Sequence, residues 1–180
     1  MSERKDIIKS IVVLTAICLV VSGLLAVVNG FTAPVSAANA AQREEDARSE
    51  LIADADEFEP VEAELPENVL SAYAAYRSGE VIGYVFTSQS AGFGGNIQVM
   101  SAIGADGKII SVKTLDVSTE TPTLGGKTAN ADYTGQYAGQ DVSLSGADAI
   151  SGATITSNAY RNCVLSAFEA YSMITGEVLE

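Results

Sequence analysis

The longest apolar run in the chain is SIVVLTAICLVVSGLLAVV, residues 10–28, which contains no charge. Nineteen residues rising about 1.5 Å each span roughly 28 Å as a helix, close to the hydrocarbon thickness of a bilayer. A cleaved signal peptide is the alternative, because small residues at 38–40 (Ala-Asn-Ala) follow the run. The run is longer than a signal peptide requires, so the pattern favours a transmembrane helix.

The next segment, residues 36–57, is rich in Ala, Glu and Arg, favours helix and carries little apolar surface. Between Glu44 and Glu67 eleven acidic residues accompany one basic residue, Arg48, which is typical of a solvated face; a surface that steers a partner is the alternative. We therefore expect a stalk or linker helix here. The predicted division of the chain is residues 1–30 as cytoplasmic N-terminus and anchor, 31–66 as a partly helical stalk, and 67–180 as the folded domain.

Beyond residue 68 the pattern changes to short β-branched runs separated by glycine-containing turns. Ser78-Gly79 joins the runs VLSAYAAY and VIGYVFTS, and Asp106-Gly107 joins IQVMSAIG and IISVKTLDV, which are both hairpin signals. The sequence predicts an antiparallel meander over residues 69–118, followed by a glycine-containing loop region over residues 120–145.

The last long element is predicted as a helix over residues 156–174, with Thr156 or Ser157 as its N-cap. Its apolar residues recur at spacings of three and four: Tyr160, Cys163, Val164, Ala167, Phe168 and Tyr171. This spacing gives one apolar face, which we expect to pack on the sheet. The predicted fold class is α+β, with one N-terminal transmembrane helix followed by an antiparallel-sheet domain with packed helices.

Charge is distributed unevenly along the chain, whose formal net charge is -13. Arg4, Lys5 and Lys9 precede the apolar run, whereas 21 of the 23 acidic residues follow it. The basic flank predicts a cytoplasmic N-terminus and an extracytoplasmic domain. The acidity of that domain argues against nucleic acid as a partner.

Histidine is absent from the chain, and the two cysteines, Cys18 and Cys163, lie in the apolar run and in the predicted last helix. These facts argue against Ser/His and Cys/His triads, a disulfide framework and Cys-ligated zinc or iron–sulfur sites. We expect no metal ligands and no catalytic residues in the usual sense.

The segment DAISGATITS, residues 148–157, is the most informative part of the sequence. It is a short apolar approach, a tight turn of small residues, and a helix start crowded with hydroxyl groups. Such a turn presents backbone amides and the positive end of a helix dipole, which favour a phosphate. The alternative is that Ser151, Thr154, Thr156 and Ser157 only form turns and caps.

Asp148-x-x-Ser151-Gly152-Ala153-Thr154 resembles the D-x-x-[ST]-G-A-T flavinylation motif of the FMN-binding domain found in Rnf G subunits and Nqr C subunits. The segments VVNGFTAPV, GFGGNIQVMSAIGADGKI and ETPTLGGK also resemble Rnf G sequences in order and spacing. On its own, GFGG would indicate only a loop. Where the family usually has ETPGLG, this chain has Thr123 in place of the first of the two glycines. The chain is also short for an Nqr C subunit, which favours Rnf.

The resemblance implies that Thr154 carries FMN through a phosphoester, installed from FAD by an ApbE-like flavin transferase. The implied phosphate contacts are amides in the segment from Ser151 to Thr156, which includes Gly152 and Ala153, and Asp148 is implied as a further cofactor-binding residue of the motif. The implied ring contacts are Thr121, Leu124 and Gly125.

The implied function is electron transfer as one membrane-anchored subunit of an ion-translocating ferredoxin:NAD oxidoreductase complex, together with the other Rnf subunits. The chain alone would not be a complete enzyme. Two alternatives stay open: a free-standing extracytoplasmic anchored flavoprotein, and a non-redox anchored binding module in which SGAT is only a turn.

Overall fold

The computed structural model describes residues 2–177, which fall into two compact units that divide between Arg43 and Glu44. The helices are α1 (Ser2–Leu51), α2 (Ala131–Thr134) and α3 (Thr154–Thr175), with 3-10 turns at Gly125–Ala129 and Gly135–Tyr137. The strands are β1 (Glu57–Pro60), β2 (Val69–Arg77), β3 (Glu80–Ala91), β4 (Asn96–Gly104) and β5 (Ile109–Asp116).

The first unit consists of the part of α1 up to Arg43. Its large apolar side chains are exposed, for example Leu19 at 69% and Phe31 at 76%. Among the described residues this is the one helix that is long and apolar enough to cross a membrane. Exposed apolar surface of this extent needs a non-aqueous environment, so the helix fits a membrane anchor.

The second unit is built on a five-stranded sheet in the order β1-β2-β3-β4-β5, with every neighbouring pair antiparallel. Both predicted hairpins are confirmed. Ser78 and Gly79 have φ values of 53° and 83° and form a two-residue turn between Arg77 and Glu80. Positive φ at both central positions matches the twist of the flanking strands.

Alternate residues of the central strands pack on opposite faces of the sheet. On one face, Phe86 and Ile103 belong to a buried cluster with Tyr160, Phe168 and Tyr171 of α3. On the other face, strand residues pack against the last turn of α1 and the residue after it, in a second cluster of Ala47, Leu51, Ile52, Ala75, Val85, Met100 and Ala102. Both faces of β4 are therefore covered, which explains why this strand is almost continuously apolar. The expected α+β fold is confirmed.

The interpretation of residues 36–57 as a solvated helix is wrong at its C-terminal end. Ala47, Leu51 and Ile52 are buried, and the helix stops at Leu51. Strand β1 follows and pairs with Tyr73–Tyr76 of β2. Its sequence, Glu-Phe-Glu-Pro, lacks the β-branched residues that identify a strand, and only Phe58 of the four packs toward the sheet.

The predicted start of the last helix is also wrong, by two residues. Helix α3 begins at Thr154, and its N-cap is Ala153, which makes no side-chain capping bond. The hydroxyl groups of Thr156 and Ser157 have other partners: Thr156 donates to Glu120, and Ser157 accepts from the amide of Ile150. These contacts are made outside the helix, so local capping rules could not identify them.

Candidate functional site

A cavity of about 330 Å³ lies where three segments of the second unit meet. These are the loop between β3 and β4, the loop after β5 with its 3-10 turn, and the start of α3. The lining residues are Phe93, Glu120, Thr121, Leu124, Gly125, Gly152, Ala153, Thr154, Ile155 and Thr156. The volume lies at the lower end of the range for small-molecule sites.

The turn that leads into α3 is fixed by its small residues and by one hydroxyl group. The Ala153 amide donates to the Ile150 carbonyl at 2.9 Å, and the Ser157 hydroxyl accepts from the Ile150 amide at 3.0 Å. Gly152 has φ +81°, a conformation in which a side chain would be strained. The turn thus places Thr154 at the first position of the helix.

The first turn of α3, which lines the cavity, has backbone amides without partners inside the helix. Helix geometry leaves the N–H groups of residues 154–156 without acceptors in the helix, and no side chain caps them. Together with the helix dipole, these amides can hold an anionic group such as a phosphate. The Thr154 side chain is exposed at the same place, so its hydroxyl group is accessible from outside.

The apolar part of the cavity is partly open to solvent. Phe93 is 73% exposed, Ile155 55% and Leu124 41%. Ligand pockets are lined mainly by apolar side chains, so this part of the cavity suits the apolar part of a ligand.

Glu120 is a buried carboxylate in the cavity wall. Its Oε1 accepts from the Gly94 amide at 2.9 Å, and its Oε2 accepts from the Thr156 hydroxyl at 2.6 Å. Burial opposes ionisation, but hydrogen bonds from Thr156, Gly94 and Phe93 outweigh it, so the pKa of Glu120 lies below its ordinary value. Glu120 is therefore ionised at neutral pH.

The loop after β5 accommodates Thr123 without backbone strain. Its turn is closed by the Thr121 carbonyl, which accepts from the amides of Leu124 and Gly126 at 3.0 Å each. The non-glycine residues with positive φ among those described are Ser78 and Leu144, so Thr123 is not one of them. The difference from the usual glycine is thus compatible with an ordinary turn.

The structure brings together most of the residues expected at the site. Seven of them line the cavity: Thr121, Leu124, Gly125, Gly152, Ala153, Thr154 and Thr156. Asp148 and Ser151 are exposed and do not line it. The Asp148 amide donates to the Gln136 side chain at 2.8 Å, so Asp148 helps to anchor the approach to the turn.

Sequence reasoning did not select three lining residues, Phe93, Glu120 and Ile155. Phe93 lies between two glycines, and Ile155 is an apolar residue among hydroxyl residues at a helix start. Both features could have indicated an exposed apolar residue at a site. Glu120 is the first residue of the ETPTLGGK segment noted above, but its residue type and spacing alone do not indicate a role at the cavity.

The groups around the cavity fit a phosphate held by backbone amides better than a metal ion. The described residues contain no group of three His, Cys, Asp or Glu side chains that could hold a metal ion. The cavity lining has no Lys or Arg, so the amides at the start of α3 are its anion-binding groups.

Burial raises the pKa of the Cys163 thiol to about 12, which makes this thiol unreactive.

The family model and the relatives that match this chain indicate the same family. A family model described as an FMN-binding domain matches residues 92–169. The chain is 31% identical to the G subunit of a proton-translocating ferredoxin:NAD(+) oxidoreductase complex from Clostridium ljungdahlii, over 91% of this chain and 90% of that protein. It is 33% identical to the G subunit of the Na(+)-translocating complex from Acetobacterium woodii, over 96% and 95%. It is 32% identical to the G subunit of an ion-translocating oxidoreductase complex from Methanosarcina acetivorans, over 98% and 100%.

Proposed function

Because the chain belongs to the family of G subunits of Rnf-type, ion-translocating ferredoxin:NAD(+) oxidoreductase complexes, we propose that it carries electrons on an FMN attached to Thr154. Membership of the family makes it an electron-transfer subunit with an FMN-binding domain. The attachment, its phosphate contacts and its ring contacts are our proposal. The observation that carries it is the exposed Thr154 hydroxyl at the start of α3, beside unpaired amides and an apolar cavity.

Attachment requires a second protein, because the site offers Thr154 no base. The chain contains no histidine, and the one carboxylate in the cavity wall, Glu120, is already bonded to Thr156 and Gly94. An unassisted threonine hydroxyl is a weak nucleophile. An ApbE-like flavin transferase would supply the base and FAD.

In this reaction the Thr154 Oγ1 attacks the phosphorus on the riboflavin side of the FAD pyrophosphate. The P–O bond to the adenylyl half breaks, AMP leaves, and the hydroxyl proton goes to the transferase base and then to AMP. No electrons are exchanged, and the chain gains one FMN less one water.

The chain's own residues then bind and orient the group. The amides of residues 154–156 would hold the phosphate, and Thr121, Leu124 and Gly125, which line the cavity, would contact the ring. Phe93 and Ile155 cover apolar surface at the opening. The flavin supplies the redox chemistry, and the protein sets its position and electrostatic surroundings.

A free-standing flavoprotein and a non-redox module are the alternatives. Nearly full-length similarity to three proteins of such complexes favours a role inside a complex, since the anchor and domain are both covered by the matches. In the complex, partners of this chain would be the other Rnf subunits.

The test is expression of the full chain with the other subunits of its complex, with and without an active flavin transferase. We expect in-gel flavin fluorescence at the mass of this chain only when the transferase is present, and co-purification with the other subunits. A fluorescent chain that purifies alone would favour the free-standing flavoprotein. A colourless chain beside an active transferase would favour the non-redox module.

We also propose that α1 crosses the membrane once, with its N-terminus in the cytoplasm. The basis is the basic flank, Arg4, Lys5 and Lys9, which precedes the apolar run. In a Cys18→Ala background, a membrane-impermeant maleimide should label Ser145→Cys in intact cells, because Ser145 is exposed on the domain. Ser2→Cys should be labelled only after the membrane is opened. The reverse pattern would contradict this orientation, and loss of the N-terminal residues from the mature mass would indicate a cleaved signal peptide.

A further inference from the structure

Glu120 joins three separate segments at the cavity. Its own loop follows β5, its Oε1 bonds the Gly94 amide in the β3–β4 loop, and its Oε2 bonds the Thr156 hydroxyl in α3. Thr156 lies 36 residues away along the chain and is itself buried. Each bond closes a long loop, so the relative position of the three cavity walls depends on this carboxylate.

We propose that Glu120 is a charged positioning residue, whose carboxylate clamps the β3–β4 loop to the start of α3 and whose negative charge lowers the reduction potential of the bound flavin. The inference rests on the proposed function, because it names a further role for a residue of the same cavity.

The surroundings of Glu120 are built to enclose its side chain. Only 5% of the residue is exposed. A Cβ atom on Gly92 would collide with Oε1, and one on Gly125 would collide with Oε2 and lie 2.7 Å from the Thr156 hydroxyl oxygen. Two glycines thus leave the space that the carboxylate fills.

The charge of Glu120 is stabilised by hydrogen bonds and not by a cation. The ion pairs found among the described residues are Arg77–Asp54 and Lys113–Glu50, and neither involves the cavity. A buried charge without a counterion keeps its field, because there is little water to screen it. Addition of an electron to a group in the same cavity is opposed by that field, so the potential is lowered.

The two parts of the proposal can be separated with matched variants. In Glu120→Gln the amide oxygen can accept from the Gly94 amide, while the NH2 group donates to the Thr156 hydroxyl, so the clamp persists without its charge. Thr156→Val removes the bond to α3 and leaves the carboxylate, whereas Thr156→Ser keeps a hydroxyl donor. Glu169→Gln, on the exposed face of α3, removes one charge away from the cavity.

The clamp is measured by hydrogen exchange on the detergent-solubilised full chain before flavin attachment. We expect the hydrogen-bonded amides of Gly94, Ala153 and Ser157 to exchange about 10- to 100-fold faster in Thr156→Val, the range for loss of a hydrogen bond to a charged group. Thr156→Ser and Glu120→Gln should stay near the wild-type rates. The charge is measured by redox titration after flavin attachment: the midpoint potential should shift to more positive values in Glu120→Gln and stay unchanged in Glu169→Gln.

Wild-type exchange in Thr156→Val, an unfolded Glu120→Gln chain, or an unchanged potential in Glu120→Gln would each overturn the proposal. Failure of the proposed function has a different signature, because a wild-type chain that takes no flavin from an active transferase still reports the clamp by hydrogen exchange.

Discussion

A Thr154→Val chain should emerge from an active flavin transferase with the mass of the unmodified polypeptide, whereas the wild type gains one FMN less one water. Valine has nearly the same shape as threonine and lacks the attacking oxygen. Because Thr154 is exposed at the first position of α3, the substitution removes no buried contact and the fold should persist. Intact-mass spectrometry and in-gel fluorescence measure the difference, which we expect to be complete loss.

One matched control keeps the hydroxyl group at position 154, and the other removes a neighbouring hydroxyl group at position 151. Thr154→Ser keeps an attacking oxygen at the same place and should be modified, more slowly because the side chain is less restricted. Ser151→Ala removes a nearby hydroxyl that does not line the cavity and should still be modified. Flavin on Thr154→Val, with loss in Ser151→Ala, would place the attachment at Ser151 and contradict the proposal.

Much of the fold can be predicted from the sequence, because the strongest signals for strands, turns and helices come from residues close together along the chain. The hairpin at Ser78-Gly79 depends on two adjacent residues that accept positive φ, and the apolar face of α3 depends on spacing within one helix. Strand β1 has no such local signal. It is held by pairing with β2 and by the packing of Phe58, which are tertiary contacts that a four-residue segment does not encode by itself.

Some residues of the site could likewise be predicted from local sequence, and others could not. Residues 152–154 could be found because a small-residue turn before a helix start has a physical signature, and the resemblance to a flavinylation motif assigns it a chemistry. The segment that begins with Glu120 was found by resemblance, but the role of its carboxylate was not, because that role depends on contacts with Gly94 and Thr156 in the folded chain. The sequence predicts Thr156 or Ser157 as the N-cap, but both lie inside the helix, which begins at Thr154.

The clustering of glycines around the cavity is explained by close approach and not by backbone conformation alone. Neither Gly125 nor Gly126 has positive φ, so alanine can adopt the backbone of both. What differs is the space. A Cβ on Gly125 would meet Glu120 and the Thr156 hydroxyl, whereas the nearest atom to a Cβ on Gly126 is the Thr121 carbonyl oxygen at 3.4 Å, an ordinary contact.

Gly125→Ala should therefore be strongly destabilising and Gly126→Ala nearly neutral. Overpacking costs about 1–3 kcal/mol, and displacement of the Glu120–Thr156 bond adds about 1.5–3 kcal/mol. Thermal unfolding of the full chain in detergent, followed by circular dichroism at a strand wavelength, should show a Tm lower by roughly 5–15 °C in Gly125→Ala and changed by only about 2 °C in Gly126→Ala. Equal Tm values would mean that the 3-10 turn moves away from α3 at little cost. The contact between Gly125, Glu120 and Thr156 would then be an adaptable one, and the cavity walls would not be held in a fixed position by it.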